Sequence, residues 1–169
     1  AIMTPPRDRG PVDTTGATLG ITVVVPARDA SSTLVPVLQD LHTQVHPKAH
    51  YEVLVVDDHS TDGTLAVAEG LGRNWPGLRV LSATGEGKKA AIAQGVEAAR
   101  HDVVLLTDAD ARCGSQRLSA VARHAARHPC DLLLLPVRTT GGHGFWAWLQ
   151  RKEQAALQGA ALGSAAAGR

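Results

Sequence analysis

The chain has 169 residues, of which 44% are hydrophobic and 20% are charged, a composition typical of one globular domain with a sizeable core. Its formal net charge of +1 and the lack of a lysine or arginine run exclude a strongly basic surface and argue against a nucleic-acid partner. The two cysteines, Cys113 and Cys130, have no Cys-x-x-Cys spacing, so we expect reduced thiols and a cytoplasmic location.

Strand and helix signals alternate along the chain after residues 1–19, which have no apolar centre and are interpreted as a flexible lead-in. The apolar run 21–25 predicts a buried first strand that ends at Pro26. Similar patterns predict helices at about 31–44, 64–70, 88–100 and 116–128, and strands at 53–56, 78–81, 103–106 and 132–137. The predicted fold is therefore α/β: a doubly wound, mainly parallel, Rossmann-like sheet with helices on both faces.

Two carboxylates, Asp108 and Asp110, directly follow the predicted strand 103–106. Open parallel sheets bind ligands beyond the carboxyl ends of their strands, which is where these side chains are expected. Hard oxygen ligands at this spacing suit Mg²⁺ or Mn²⁺, and a cation with open positions can also take diphosphate oxygens. For this motif alone, a solvated loop after a strand is the alternative interpretation.

Two more strand ends carry groups suited to a nucleotide. The segment Pro26-Ala27-Arg28 ends the first strand, and its stiff backbone can present polar groups to a flat ring while Arg28 reaches a base or a phosphate. Asp57 and Asp58 end the second strand, where like charges repel. Adjacent side chains point to different sides, so one can contact a base or ribose while the other holds the loop.

A fourth segment, residues 85–92, opens a helix with two glycines and two lysines, of which Lys88 is the first. Glycines expose backbone amides, and lysines near the positive end of a helix are unfavourable unless an anion is present. This pattern suits a diphosphate. The spacing of a P-loop is absent.

These four segments, in this order, resemble the family 2 glycosyltransferases: Val-Val-Pro-Ala-Arg, Val-Val-Asp-Asp-His-Ser-Thr-Asp-Gly-Thr, Gly-Lys-Lys-Ala-Ala-Ile-Ala-Gln-Gly and Leu-Thr-Asp-Ala-Asp. The resemblance covers about residues 20–140. It implies a GT-A fold and an inverting enzyme that transfers a sugar from a nucleotide-sugar donor, with a UDP-sugar favoured, and that uses Mg²⁺ or Mn²⁺.

The resemblance also implies roles for individual residues. In the family, the segment matching Pro26–Arg28 and the carboxylate matching Asp58 contact the uracil and the ribose, and the position of Lys88 lies on the nucleotide side. Asp108 and Asp110 match the family's Asp-x-Asp and are the predicted metal ligands. The predicted donor-binding set is Pro26, Ala27, Arg28, Asp57, Asp58, Lys88, Asp108, Ala109 and Asp110.

The chain departs from the family pattern after Asp110. The family's catalytic base is an acidic residue, often in a Glu-Asp pair, and no such pair follows here. Glu153 is the last carboxylate and the alternative to a base outside the chain. We therefore expect a donor-binding part, truncated at the C-terminus, that binds donor without efficient turnover.

The predicted organisation has three parts: the lead-in 1–19, a nucleotide-sugar-binding domain 20–140, and a tail 141–169 that begins an incomplete acceptor region. The tail has an aromatic cluster, residues 145–148, followed by an Ala/Gly-rich helical pattern with little apolar area to bury. The cluster resembles membrane-interface segments of family members that act on lipid-linked or exported acceptors. This resemblance implies a glycan, lipid or polyprenyl-phosphate acceptor and a full-length protein at the cytoplasmic face of a membrane. An ordinary core or subunit contact is the alternative.

Two other functions compete with this hypothesis. A response-regulator receiver domain also pairs Asp-Asp after a strand with an aspartate some fifty residues later, but here a complete strand and helix precede Asp57, and no Lys-Pro follows a late strand. A non-catalytic nucleotide-binding module is compatible with the missing base.

Overall fold

The structure is a computed structural model and describes residues 19–128 together with Leu132, Leu133 and Leu135. The chain divides into two units, Ala1–Pro129 and Cys130–Arg169, and the elements below belong to the first. In chain order they are β1 (Ile21–Ala27), α1 (Ser31–His42), a short 3₁₀ helix (Lys48–His50), β2 (Tyr51–Asp57), α2 (Thr64–Gly72), β3 (Leu78–Ser82), α3 (Lys88–Glu97), β4 (Val103–Leu106) and α4 (Arg117–Arg127).

The four strands of the described residues form one parallel sheet in the order β3-β2-β1-β4. The chain moves in one direction from β1 to β3 and then returns to the other side of β1 for β4. Right-handed crossovers therefore place α1 and α2 on one face and α3 on the other. Accordingly, α1 contacts α2, while α3 contacts β1 and β2. This confirms the predicted doubly wound sheet with helices on both faces.

The core follows from the burial of the two central strands along their whole length. On the α3 face, Val24 and Val56 pack in one cluster with Ala91. Gly95 lets α3 approach this closely, because a Cβ there would lie 2.4 Å from a methyl of Val24. On its own apolar side, α1 buries four residues, Leu34, Val37, Leu38 and Leu41.

The end of β1 differs from the prediction. The strand continues through Pro26 to Ala27, which pairs with Asp57. Alternate residues of a parallel strand face opposite neighbours. The Pro26 nitrogen therefore faces β4, as the Val24 carbonyl does when it accepts the Thr107 amide at 3.1 Å. Pairing with β4 ends opposite Val24, so the missing N–H of the proline costs the sheet no bond.

Other boundaries shift by a few residues. The helix predicted at 31–44 ends at His42, and the helix predicted at 88–100 ends at Glu97. The strand predicted at 132–137 falls mostly outside the described residues, and the three leucines described there lie in no strand. A run of leucines predicts burial, but Leu132 is 73% exposed.

Several predictions lie outside the described residues: the lead-in up to residue 18, the aromatic cluster 145–148 and Glu153. Within the described range, no helix is long and apolar enough to cross a membrane.

Candidate functional site

A cleft of about 420 Å³ lies beyond the carboxyl ends of the strands, at the point where the strand order reverses between β1 and β4. This is where open α/β sheets bind ligands. Eight of the nine predicted donor-binding residues line the cleft: Pro26, Ala27, Arg28, Asp58, Lys88, Asp108, Ala109 and Asp110. The remaining one, Asp57, does not. Binding by these residues stays a prediction, but the topology gathers them at one site.

Asp58 is the buried carboxylate of the cleft. Its Oδ1 accepts the Gly87 amide at 2.9 Å and lies 3.3 Å from His59 Nδ1, while its Oδ2 is 3.8 Å from an Arg28 nitrogen. The Gly87 amide above all, with His59 and Arg28, holds the pKa of Asp58 below its usual value against the opposing effect of desolvation. Asp58 is therefore an anionic hydrogen-bond acceptor at neutral pH.

Asp57 points to the other side of β2. Its Oδ2 accepts the Ser60 amide at 3.3 Å, and its buried Oδ1 has no hydrogen-bond partner among the described groups. Asp58 thus lines the cleft while Asp57 holds the loop after β2, and a contact of either carboxylate with a ligand stays a prediction. The lining of the cleft does not support such a contact for Asp57.

The loops that follow β1 and β2 are fastened to each other. Asp29 adopts a left-handed backbone (φ 46°), and its Oδ1 accepts the Thr61 amide at 2.8 Å. Its own amide donates to Ser60 Oγ at 3.0 Å, and the Ser31 amide donates to Asp62 Oδ2 at 3.0 Å. These contacts hold Arg28 and Asp58 at a fixed separation across one wall of the cleft.

The cleft is also lined by the Asp-x-Asp and by the first residue of α3. Lys88 Nζ donates to Asp108 Oδ1 at 2.6 Å, and both side chains are exposed. Asp110 is exposed in the cleft as well. In the part of the chain that is described, no three His, Cys, Asp or Glu side chains form a cluster able to hold a metal ion. Two carboxylates still fit Mg²⁺ or Mn²⁺, because such cations commonly take one or two carboxylates and complete their shell with phosphate oxygens.

The loop after the Asp-x-Asp is tied to the end of α1. Arg112 forms a bidentate ion pair with Asp40 at 2.6 and 2.9 Å, and the Cys113 amide donates to Asp40 Oδ2 at 3.0 Å. The Arg112 guanidinium holds the pKa of Asp40 below its usual value. Gln44 adds a bond to the Gly114 carbonyl at 2.9 Å. This anchorage fixes the path of the loop that carries Asp110.

Sequence reasoning missed part of the site. Asp29, Ala30, Ser32 and Thr33 also line the cleft. Their position in the loop and first helical turn after β1 was a usable signal, because that loop lies at the ligand-binding edge of the sheet. No local sequence pattern predicts the ion pair between Asp40 and Arg112, because the two residues are 72 positions apart.

The family model for glycosyl transferase family 2 matches residues 22–164. Poly(ribitol-phosphate) beta-N-acetylglucosaminyltransferase TarS of Staphylococcus aureus is 32% identical over 126 residues, which are 72% of this chain and 22% of that protein. Beta-monoglucosyldiacylglycerol synthase of a Nostoc species is 29% identical over 102 residues, 58% of this chain and 22% of that protein. The chain thus spans about a fifth of the length of these curated relatives.

Solved structures give the same result. Staphylococcus aureus TarS 1-349 in complex with UDP superposes with a TM-score of 0.66 and 30% identity, over 75% of this chain and 38% of that one. The mannosyltransferase PcManGT from Pyrobaculum calidifontis, in complex with GDP-Man and Mn²⁺, superposes with a TM-score of 0.60 and 30% identity. The match covers 67% of this chain and 34% of that one. The sheet and its flanking helices therefore match glycosyltransferase structures, and the receiver-domain alternative is not favoured.

Proposed function

The chain belongs to glycosyl transferase family 2 and is a glycosyltransferase sequence, and from this premise we propose that it binds a nucleoside-diphosphate sugar, with a UDP-sugar favoured, in the cleft beyond β1 and β4. The observation that carries the proposal is the convergence of Asp58, Lys88, Asp108 and Asp110 on one cleft from three separate segments of the chain. The solved structures of TarS 1-349 in complex with UDP and with UDP-GlcNAc support the choice of donor.

The base and ribose are assigned to the wall made by the end of β1 and by Asp58. Asp58 is an ionised acceptor whose Oδ1 is already held by Gly87, which leaves Oδ2 to receive an N–H or O–H from the nucleotide. Pro26 and Ala27 provide a short apolar surface for a flat ring. Arg28, largely exposed and 3.8 Å from Asp58, supplies positive charge at the same wall.

The diphosphate is assigned to the part of the cleft where Lys88 provides an ammonium group and Asp108 and Asp110 would hold Mg²⁺ or Mn²⁺. Such a cation, when bound, offsets the negative charge that develops on the departing nucleoside diphosphate. Lys88 acts in the same sense as a point charge from the protein. Together these residues orient the donor and stabilise its leaving group.

Inverting transfer also needs a carboxylate that takes the proton of the acceptor hydroxyl as the hydroxyl attacks the anomeric carbon. The carboxylates that the described residues place at the cleft are Asp29, Asp58, Asp108 and Asp110, and each has a structural, nucleotide or metal role above. We therefore propose that none of the described carboxylates is the base; Glu153, which lies outside the described residues, is the candidate that the chain itself offers. Donor binding without efficient turnover by these 169 residues is part of the same proposal.

The acceptor is proposed to be a hydroxyl of a glycan, a lipid or a polyprenyl-phosphate-linked sugar. Relatives named for poly(ribitol-phosphate) and for a glucosyldiacylglycerol product support this range. A location in the cytoplasm, at the membrane face for the full-length protein, belongs to the same proposal.

Binding of UDP to the chain with and without Mn²⁺ tests this function directly. Isothermal titration calorimetry is expected to show UDP binding that strengthens with Mn²⁺, and thermal unfolding is expected to shift upward with both present. Incubation with acetyl phosphate is the control, because phosphorylation of the chain would support the receiver-domain alternative instead. No UDP binding in either condition would refute the proposal.

A further inference from the structure

Asp108 Oδ1 is the target of two different cations. In the structure, Lys88 Nζ holds this oxygen at 2.6 Å. The proposed function assigns the same carboxylate, with Asp110, to Mg²⁺ or Mn²⁺. An ammonium group and a divalent ion cannot share the oxygen at bonding distance without strong repulsion.

The protein offers few metal ligands without the donor. No cluster of three metal-ligating side chains exists among the described residues, and of the two carboxylates assigned to the metal, one is engaged by Lys88. A bound diphosphate would change both the number of metal ligands and the pairing of Lys88. Its oxygens add metal ligands and also provide a second anion for Lys88.

We propose that Lys88 is an exchangeable counter-ion: it occupies Asp108 until the donor arrives and then moves to the diphosphate, so that cation and donor bind cooperatively. This inference rests on the proposed function and adds a specific cause for the coupling. Lys88 lies at the start of α3, and its 63% exposed side chain is free to swing between the two anions. Removing its charge must therefore change the two affinities in opposite directions.

The expected magnitudes are modest and opposite in sign. Exposed ion pairs are worth roughly 0.2–1 kcal/mol, so freeing Asp108 is expected to strengthen Mn²⁺ binding in the absence of nucleotide by about 1.4- to 5-fold. Loss of a charge-assisted contact is expected to weaken UDP binding in the presence of Mn²⁺ by about tenfold. A role of Lys88 in folding alone cannot produce tighter binding of one ligand and weaker binding of the other.

The test compares Lys88→Gln with Lys89→Gln. The second variant removes the same charge from the next residue, which is exposed and does not line the cleft. Free Mn²⁺ is measured by electron paramagnetic resonance without nucleotide, and UDP binding is measured by calorimetry with and without Mn²⁺. Lys88→Gln is expected to tighten Mn²⁺ and weaken UDP, whereas Lys89→Gln leaves both within about twofold.

Three outcomes decide between the possibilities. The counter-ion role is overturned if Lys88→Gln binds Mn²⁺ without nucleotide no more tightly than wild type does. It is also overturned if Lys89→Gln changes the Mn²⁺ and UDP affinities as much as Lys88→Gln does. Lys88→Arg, which keeps the charge, is expected to retain the wild-type metal affinity. A wild-type chain that binds no UDP would instead refute the proposed function itself, so the two failures are distinguishable.

Discussion

Glu52, at the amino end of the sheet, and the Asp-x-Asp, at the carboxyl end, differ in how far the chain itself satisfies their carboxylates. At the amino end of β2, Glu52 is 2% exposed and both of its oxygens are satisfied by the chain. Oε1 accepts Thr22 Oγ1 at 2.9 Å and the Arg100 amide at 2.7 Å, and Oε2 lies 3.0 Å from an Arg79 nitrogen. At the carboxyl end, Asp108 has one exposed lysine and Asp110 lies open to the cleft. Glu52 is satisfied by groups of the chain, whereas Asp108 and Asp110 are left exposed at the cleft.

This difference has an energetic meaning. Desolvation alone would raise the pKa of Glu52, but bonds from the Arg100 amide, Arg79 and Thr22 outweigh it and hold the pKa below its usual value. These contacts join β1, β2, β3 and the turn before β4. Glu52 therefore contributes to folding, whereas the exposed Asp108 and Asp110 are the carboxylates of the proposed metal site.

The largest expected effect is on stability, from Glu52→Ala. Truncation removes the acceptor of the Arg79 guanidinium, the Arg100 amide and the Thr22 hydroxyl, and each buried donor left unsatisfied costs about 1–3 kcal/mol. Chemical denaturation followed by circular dichroism measures the loss. The comparison fails if Glu52→Ala unfolds at the wild-type denaturant midpoint.

The second effect is on binding, from Asp110→Ala. Mn²⁺-dependent UDP affinity is expected to fall by about tenfold, as for a lost charge-assisted contact. The free energy of unfolding is expected to stay within about 0.5 kcal/mol of the wild-type value because the side chain is exposed. Calorimetry with and without Mn²⁺ and a denaturation curve measure both quantities. Unchanged binding, or an unfolded variant, would contradict the division of roles.

The smallest effect is a pH dependence of stability. A carboxyl group whose folded pKa is lowered contributes stability that is fully present above its unfolded pKa, about 4.3 for Glu, and is lost as pH falls through the folded value. The free energy of unfolding is therefore expected to decline below about pH 4.

Glu52→Gln isolates that contribution. It keeps the shape of the side chain and removes the titrating group, so its stability is expected to fall less steeply than that of wild type over the same acid range. Denaturation curves between pH 7 and pH 3 measure the slope. Identical slopes for the two proteins would assign the acid sensitivity to other groups, such as Asp40 and Asp62, whose pKa values are also lowered.

The sequence by itself determined the fold class and the edge of the sheet that forms the site. Apolar runs of strand length, separated by helical patterns, are local signals, and β4 lies at the predicted residues Val103–Leu106. Because parallel strands share one carboxyl edge, motifs at the ends of three strands had to meet there. The ends of the predicted elements were less accurate, as the continuation of β1 through Pro26 shows. The cost of a proline in a strand depends on which neighbouring strand its nitrogen faces, and the local sequence does not contain that information.

Only the tertiary structure decided which of two adjacent carboxylates lines the cleft and which holds the loop. Asp57 and Asp58 are adjacent and chemically identical, and the side of β2 that each faces gives one to the loop and the other to the cleft. The bonds of Asp58 to Gly87, of Lys88 to Asp108 and of Asp40 to Arg112 join residues 29, 20 and 72 positions apart. Such pairings depend on strand order and side-chain direction, which no local pattern contains.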